Sequence, residues 1–476
     1  MNRFSRYAPT LESLEAASLL GLTLDGAPVP DACDERQGAA LLDAALVPGG
    51  IMLVTGASGS GKSTLLERAA RAAGRRGWAV VRPRAPEGRG ALSTALAVVR
   101  RASGDATWSV ERGMRALARA GLGDAACMVR RVRELSTGQR WRLALAEALE
   151  RAGAERRRVL LVLDEFGASV DEETALAVAA GLRRALARGG RTAAVVASNH
   201  ATAGVRAALA ADVHAELDAA HRPRIVPVSR RGALTGARLR IARGTRADLE
   251  KLAALHYRSA APATVVRVLT ARRAGDPEDA APVGVLAVAM PTLNGAWREL
   301  AWPGVFRTGD RQRDAARLNH PRLGVRCIAR VIVEPRFRSL GVATRLVRAY
   351  LRRPLTARTE ALAAMGRASG FFDAAGMTRY ELPLARRHRR LRDLFEQFGV
   401  DVRRLACPDG ARAHVERLVG PALLERELRA WARSSRATAG LMSRGADQAA
   451  IFKAACAALA AAPVAFAAGS RARGGS

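Results

Sequence analysis

Between residues 49 and 200 the chain alternates short apolar runs with stretches whose hydrophobic positions recur at helical spacing. The runs Ile51–Thr55, Trp78–Val81, Val159–Leu163 and Thr192–Ala197 are almost wholly apolar, the pattern of strands covered on both faces. They predict a largely parallel sheet with helices on either side, an α/β unit over 49–225, preceded by an N-terminal extension over 1–48. From His221 to Ala237 the pattern turns basic and irregular, as a linker does. A second alternating region opens near Arg238 and runs through Gly284–Ala289, Arg326–Val333 and a helix over Gly341–Leu351, which predicts an α+β domain over 238–384. Beyond Arg386 the periodicity is helical and charged, so 386–476 is expected to be a helical C-terminal region without readable chemistry.

Composition narrows the class. At 476 residues with 49% hydrophobic positions, the chain is long enough for two or three cored domains and lies far from the signature of disorder. The formal net charge is +33, yet Lys62, Lys251 and Lys453 are the only lysines, so nearly all of the positive charge is arginine in a chain rich in Ala and Gly. That skew is as much a codon-usage pattern as a binding adaptation, and the charge alone admits both a nucleic-acid partner and a solvated basic surface. Cys33, Cys127, Cys327, Cys407 and Cys456 are odd in number and widely spaced, which points to a reducing cytoplasm and away from structural zinc. No signal-peptide core precedes Ala32, and the apolar stretch Ala449–Gly469 is broken by Lys453 and Pro463, so a soluble cytoplasmic protein is expected.

Gly56-Ala-Ser-Gly59-Ser-Gly61-Lys62-Ser63 fits G-x-x-x-x-G-K-[ST] between an apolar run and a helical one, the context of a phosphate loop. Its glycines let backbone N–H groups wrap a β-phosphate, and the helix N-terminus adds its positive end. Lys62 reaches the β- and γ-phosphates, and Ser63, with Thr64 behind it, is placed for Mg²⁺. Downstream, the buried run Val159–Leu163 ends in Asp164 and Glu165. There Asp164 joins Ser63 in the Mg²⁺ shell, and Glu165 polarises the attacking water.

Leu135-Ser136-Thr137-Gly138-Gln139, followed by a helical run, resembles the signature motif of the ABC ATPases, usually LSGGQ. Ala168–Asp171 resembles that family's D-loop, and His200 after Asn199 falls where its switch histidine belongs. The resemblance implies an ATP-dependent homodimer in which Ser136, Thr137, Gly138 and Gln139 of one head cap the ATP of the other, with Glu165 and His200 catalytic. Two features depart from the transporter version: no glutamine lies between Gln37 and Gln139, and no aromatic residue lies between Ala8 and Gly77 to stack on adenine. Soluble ABC ATPases of repair, chromosome maintenance or translation are nearer in style than a transporter subunit.

Ile328 to Leu346 contains Arg338-Ser-Leu-Gly341-Val342-Ala343-Thr344 between a strand-like run and an amphipathic one. This resembles the acyl-CoA motif [QR]-x-x-G-x-[GA] of the GNAT acetyltransferases. Arg238 to His256 is similar to that family's first strand and helix, and Phe371-Phe372 with Gly376-Met377 to its late helix end. The resemblance implies backbone contacts to CoA pyrophosphate along Arg338–Thr344 and pairing of Val331 and Val333 with the pantetheine arm. Glu334 or His320 is then the candidate base, and Tyr380 or Tyr257 the candidate acid.

Over residues 50–385 the chain therefore resembles prokaryotic ABC-type ATPases fused to a predicted acetyltransferase domain. ATP, Mg²⁺ and acetyl-CoA are its expected ligands. The alternative is a nucleic-acid-associated ATPase whose GNAT-like part is only a scaffold. The basic run Arg386–Arg390 is a further place where nucleic acid could be touched.

Overall fold

The structure is a computed structural model that describes residues 47–199, 201–218, 222–226, 239–255, 262–274, 279–338, 340–367, 369–382, 384–443, 448–460 and 464–469, together with Leu11, Glu15 and Pro277. Two sheets organise it. The first has six strands in the order β2-β3-β4-β1-β5-β6, with β1 Ile51–Gly56, β2 Ala79–Val81, β3 Val159–Leu163, β4 Thr192–Ser198, β5 Val213–Leu217 and β6 Pro223–Ile225. All neighbours are parallel except the edge pair β5–β6, which draws part of the expected linker into the sheet. The four strands read from apolar runs are therefore all present, each shifted by no more than a residue at an end.

Both faces are covered along β1 to β4, which is why these four strands are almost wholly apolar, whereas β5 and β6, toward one edge, carry His214, Glu216 and Arg224. Met52 and Val54 point into a core with Leu65, Leu66 and Ala69 of helix Lys62–Arg75. Ile51 and Leu53 face the other way, into a larger cluster that takes in Val178 and Leu182 of helix Glu172–Gly189. That same cluster continues through Phe337 and Leu340 to Leu286 and Val288 of the second sheet, so one apolar core joins the two sheets.

The second sheet has seven strands in the order β12-β13-β11-β10-β9-β8-β7. They are β7 Leu239–Gly244, β8 Val265–Arg273, β9 Gly284–Ala289, β10 Val325–Val333, β11 Arg358–Ala363, β12 Thr378–Glu381 and β13 Val464–Gly469. Every pairing is antiparallel except β10–β11. Between β9 and β10 the chain inserts helices Arg298–Ala301 and Arg311–Asn319; Trp302, just after the first, and Leu318 of the second cover Val325, Ala465 and Ala467.

The C-terminal region corrects the expected division at residue 386. Helices Arg386–Gln397, Pro408–Val419, Pro421–Arg433 and Gln448–Ala460 do form a core of their own around Phe395, Trp431 and Phe452. The chain then returns as β13, which lies between β11 and β12 and pairs with both. The helical region is thus an insertion within the second sheet's own sequence. The basic run at its start is engaged locally: Arg387 stacks over the Trp431 ring at 5.4 Å, Trp431 Nε1 donates to His388 Nδ1 at 3.0 Å, and Arg390 pairs with Glu427 at 3.0 Å.

Candidate nucleotide site

The phosphate loop follows β1 without a break. Gly56, Gly59 and Gly61 have φ of 148°, 81° and 89°, the half of the map that side-chain-bearing residues avoid. At Gly56 a Cβ would also lie 2.6 Å from Ser60 Oγ and 2.7 Å from the Leu217 carbonyl, so only glycine fits. Gly61 caps helix Lys62–Arg75, whose first N–H groups open toward the loop. Lys62 is buried and donates from Nζ to the carbonyls of Gly56 at 2.8 Å and Ala57 at 2.5 Å, which curls its ammonium into the loop's own concavity. Ser60 Oγ is buried and has no hydrogen-bond partner. Ser63 is exposed and Thr64 half-buried on the first helical turn. An anion-sized cradle with a lysine in it and an unmatched hydroxyl fits the phosphates of a nucleotide, with Ser63 available to Mg²⁺.

The acid pair stands two strands away, because β4 lies between β1 and β3. Asp164 and Glu165 emerge, exposed, from the wholly buried β3. Glu165 has φ 51°, a left-handed conformation that costs a non-glycine residue about 1–2 kcal/mol. It is held there by its own N–H, which donates to Asp164 Oδ1 at 2.9 Å. Next, Phe166 N–H donates to the Ala197 carbonyl at 2.8 Å, and the Phe166 carbonyl accepts from Ser198 Oγ at 3.0 Å. The turn is pinned to β4, so the carboxylate is aimed by a strained but over-determined backbone. His200 lies outside the described residues, as do Tyr257 and His256.

Ser136 caps helix Thr137–Ala154. Its Oγ accepts from Gln139 N–H at 3.3 Å, and its own N–H donates to Gln139 Oε1 at 2.9 Å, a reciprocal capping box. Ser136 and Thr137 are exposed. Gly138 packs against the loop after Glu165, where a Cβ would meet the Ser169 carbonyl at 2.8 Å and Val170 Cγ1 at 2.9 Å. The signature segment and the acid loop thus share a contact within one chain, while Ser136 and Gln139 hydrogen-bond each other rather than the phosphate loop. That loop ends at Asp171, the cap of helix Glu172–Gly189, which accepts from Thr174 N–H at 2.9 Å and Oγ1 at 2.7 Å. Burial works to raise the Asp171 pKa, but the Thr174 hydrogen bonds and Arg336 outweigh it and hold the carboxyl below its usual range.

One neighbour of the site is invisible to motif reading. His214 on β5 meets Thr55 Oγ1 through Nε2 at 2.8 Å, directly before Gly56. Burial, with Arg206 adding to it, holds the His214 pKa below 6.5. Nothing in the local sequence marks this histidine, because strand pairing across the sheet brings it there.

The second set of expected residues is divided by the fold. Val331 and Val333 lie on β10, and Arg338, Gly341, Val342, Ala343 and Thr344 on the turn and first helical turn that follow. Gly341, with φ 81°, caps helix Val342–Arg352 much as Gly61 caps its own. Arg338 differs from the expectation: its guanidinium is bound to the carbonyls of Val333 at 3.0 Å, Leu255 at 3.4 Å and Gly123, so the side chain ties the loop down. Glu334 is paired with Arg336 beside this loop. His320 stands apart. It precedes the other end of β10, roughly 26 Å away along the strand, where its Nδ1 accepts from the N–H groups of Arg322 at 3.2 Å and Leu323 at 3.0 Å as a turn cap. Tyr380 lies on β12, two strands beyond β11, against Trp297 at 6.3 Å.

Comparison with known proteins identifies the first region. A family described as "AAA ATPase domain" matches residues 35–195, about a third of the chain, taking in the phosphate loop and the acid pair. No curated protein matches the chain. Among solved structures, an ATP-binding cassette of an ABC transporter in its ADP conformation is 17% identical, with 40% of this chain and 84% of that chain covered at a TM-score of 0.29. CbiO1 from Clostridium perfringens, part of the cbiONQ ABC transporter complex, is 18% identical over 37% of this chain and 76% of that chain, with a TM-score of 0.27. The chain thus carries an ATPase domain of P-loop type, which implies ATP binding. Among the described residues no helix is long and apolar enough to cross a membrane.

Proposed function

We propose that the chain is a two-part enzyme: an ABC-type ATPase that dimerises on ATP, coupled to a GNAT-like domain that transfers an acyl group from acyl-CoA to an amine. The ABC subtype is supported by Ser136, which is exposed at the N-terminus of helix Thr137–Ala154 and hydrogen-bonded to Gln139 rather than to its own phosphate loop, so that a second copy could reach it. In that arrangement Glu165 orients the water that attacks the γ-phosphate, and Lys62 follows the charge that develops on the transferred phosphoryl group. Ser63 and Asp164 are the residues that would hold Mg²⁺, which would supply charge neutralisation to the phosphate oxygens.

The observation that carries the acyltransferase reading is the parting of β10 from β11. Their parallel pairing runs through Val325–Arg358, Arg326–Thr359 and Cys327–Glu360 and goes no further, although β10 continues to Val333 and β11 to Ala363. A register shift between Ile328 and Arg330 bends β10 at that point. Beyond Cys327 the β11-facing edge of β10 offers backbone N–H and C=O groups to an extended amide chain such as pantetheine. The short helix Pro335–Phe337 follows that edge, and Gly341 then caps helix Val342–Arg352, whose N-terminal N–H groups would take a pyrophosphate. The acceptor amine would attack the thioester carbonyl, its proton passing to a base near Glu334 while the CoA sulfur leaves and is protonated.

The scaffold reading has one observation in its favour, the commitment of Arg338 to three carbonyls within the protein. A thermal-shift titration of the full chain with acetyl-CoA separates the two, since a ligand that binds only the native state raises Tm by mass action. Binding predicts a rise that Gly341→Val removes, because its φ of 81° is forbidden to a β-branched side chain. A wild-type chain that does not respond sinks the acyltransferase half.

A further inference from the structure

The turn between β10 and helix Val342–Arg352 is gripped at both ends by the ATPase domain. Arg336 Nη1 pairs with Glu173 Oε2 at 2.5 Å and Asp171 Oδ1 at 3.4 Å, while its Nε is bound to Glu334. Glu173 in turn pairs with Arg273 of β8 at 2.9 Å. At the other end, Arg184 Nη2 donates to the Leu340 carbonyl at 2.6 Å, and both of its terminal nitrogens lie 3.9 Å from where a Gly341 Cβ would stand. Between these, Arg338 reaches the Gly123 carbonyl of the ATPase domain.

The acidic partners are not arbitrary points on that domain. Asp171 and Glu173 open the helix that follows the Glu165 turn, and the Glu165–Asp171 loop also carries the Ser169 carbonyl against which Gly138 is packed. One short loop therefore touches the acid pair at its start, the signature segment in its middle and Arg336 at its end. The path Glu165 to Asp171 to Arg336 to Glu334 is continuous, and it ends beside the turn that leads to Gly341.

We propose that the nucleotide site and the Glu334–Thr344 turn are thermodynamically linked through Arg336, so that nucleotide bound at one changes the affinity for acyl-CoA at the other. The part of this that names acyl-CoA rests on the acyltransferase reading above. A nucleotide that shifts the Glu165–Asp171 loop moves the carboxylates that share the Arg336 charge, and Arg336 passes the shift to Glu334. Linkage of this kind is reciprocal: acetyl-CoA changes nucleotide affinity by the same factor. The three Arg336 pairs are half-exposed and individually weak, so the factor belongs at the lower end of allosteric couplings, about 5- to 10-fold.

The test uses the full chain with Mg²⁺ and a non-hydrolysable ATP analogue. Calorimetry gives the analogue's Kd with and without saturating acetyl-CoA, and hydrogen exchange follows the peptides covering 334–344 with and without the analogue. Expected are a Kd ratio of about 5 or more and a change in exchange over 334–344 on adding the analogue. Arg336→Ala and, separately, Glu173→Gln should bring both effects close to nothing while the analogue still binds. A wild-type ratio of one together with unchanged exchange overturns the linkage, as does a ratio undiminished in both variants. If acetyl-CoA does not bind but exchange over 334–344 still responds to nucleotide through Arg336, the linkage stands and the acyl-CoA reading falls.

Discussion

Removing the charge of Glu360 offers a sharp test of how the second sheet is held together. Glu360 is 0% and Arg298 3% exposed. They meet in a two-point pair, Nε to Oε2 at 2.7 Å and Nη2 to Oε1 at 2.8 Å, at the position where β10 and β11 part. Arg298 also donates to the Thr292 carbonyl at 2.7 Å, and its guanidinium passes so close to Gly295 that a Cβ there would lie 2.5 Å away. The pair therefore fastens the β9–β10 insertion to the sheet. Glu360→Gln leaves the Arg298 guanidinium buried without a counter-charge, a change that costs about 3–5 kcal/mol. At about 2–4 °C per kcal/mol for a unit of this size, the expected drop in Tm is roughly 6–20 °C.

Thermal unfolding of the full chain followed by circular dichroism measures it, and the double variant R298M/E360L makes the test decisive. If the cost is that of an orphaned charge, the double variant recovers most of the loss, since replacing both ions with apolar groups of similar volume is close to neutral. A Glu360→Gln drop under 2 °C, or a double variant as unstable as the two singles summed, refutes the reasoning. Cys327, opposite Glu360, supplies a second readout. Burial above all, with Glu360 adding to it, pushes its thiol up to about 12. With the carboxylate gone and Arg298 left, the thiol should ionise at lower pH, and alkylation by iodoacetamide at pH 9 should run faster than in the wild type.

Glu165→Gln should keep ATP binding, lose nearly all hydrolysis and accumulate a dimer visible by light scattering; a monomer, or turnover at the wild-type rate, would remove the ABC-type reading. The low pKa of His214 means that the unfolded chain takes up a proton below about 6.5 that the native histidine refuses, so stability should fall as pH drops through 6.5. Thermal melts from pH 7.5 to 5.5 should show His214→Asn less acid-sensitive than the wild type, and equal slopes would count against the assignment. Nucleic-acid binding, if it accounts for the net charge of +33, should be sequence-tolerant and weaken steeply between 50 and 200 mM salt. Filter binding that detects nothing at the lower salt would leave the arginine excess as a compositional trait.

What was legible in the sequence was what is decided locally. Strands β1 to β4 are apolar runs because both of their faces are buried, and the phosphate loop carries glycines at φ values that glycine alone tolerates readily. Elements fixed by distant partners were not legible. Strand β13, Val-Ala-Phe-Ala-Ala-Gly, is set off from the alanine-rich stretch by Pro463, but with one β-branched residue its composition gives too little strand signal to place it in a sheet. Its pairing partners lie some hundred residues earlier. The Arg336 grip and the Arg298–Glu360 pair are likewise ordinary charged residues until the fold brings their partners in. His320 illustrates the opposite error, a chemically suggestive residue that turns out to cap a turn at the wrong end of its strand.

The place of β13 also decides what can be studied in isolation. Phe466 is fully buried, stacked at 4.9 Å on Phe372 with Arg379 over its ring at 5.6 Å, and Val464, Ala465 and Ala467 are buried beside it. A fragment ending at Leu384 would keep β11 and β12 with an empty strand position between them, an exposed ladder on each and the Phe372 side of the core uncovered. The smallest unit that can close this sheet therefore runs from β7 to β13 and contains the whole helical insertion. Because β13 comes after the insertion in the chain, the sheet cannot be completed until the insertion has been made, and the inserted helices with their separate core bring β13 back to the gap it fills. Their position in the chain thus follows from the sheet's strand order.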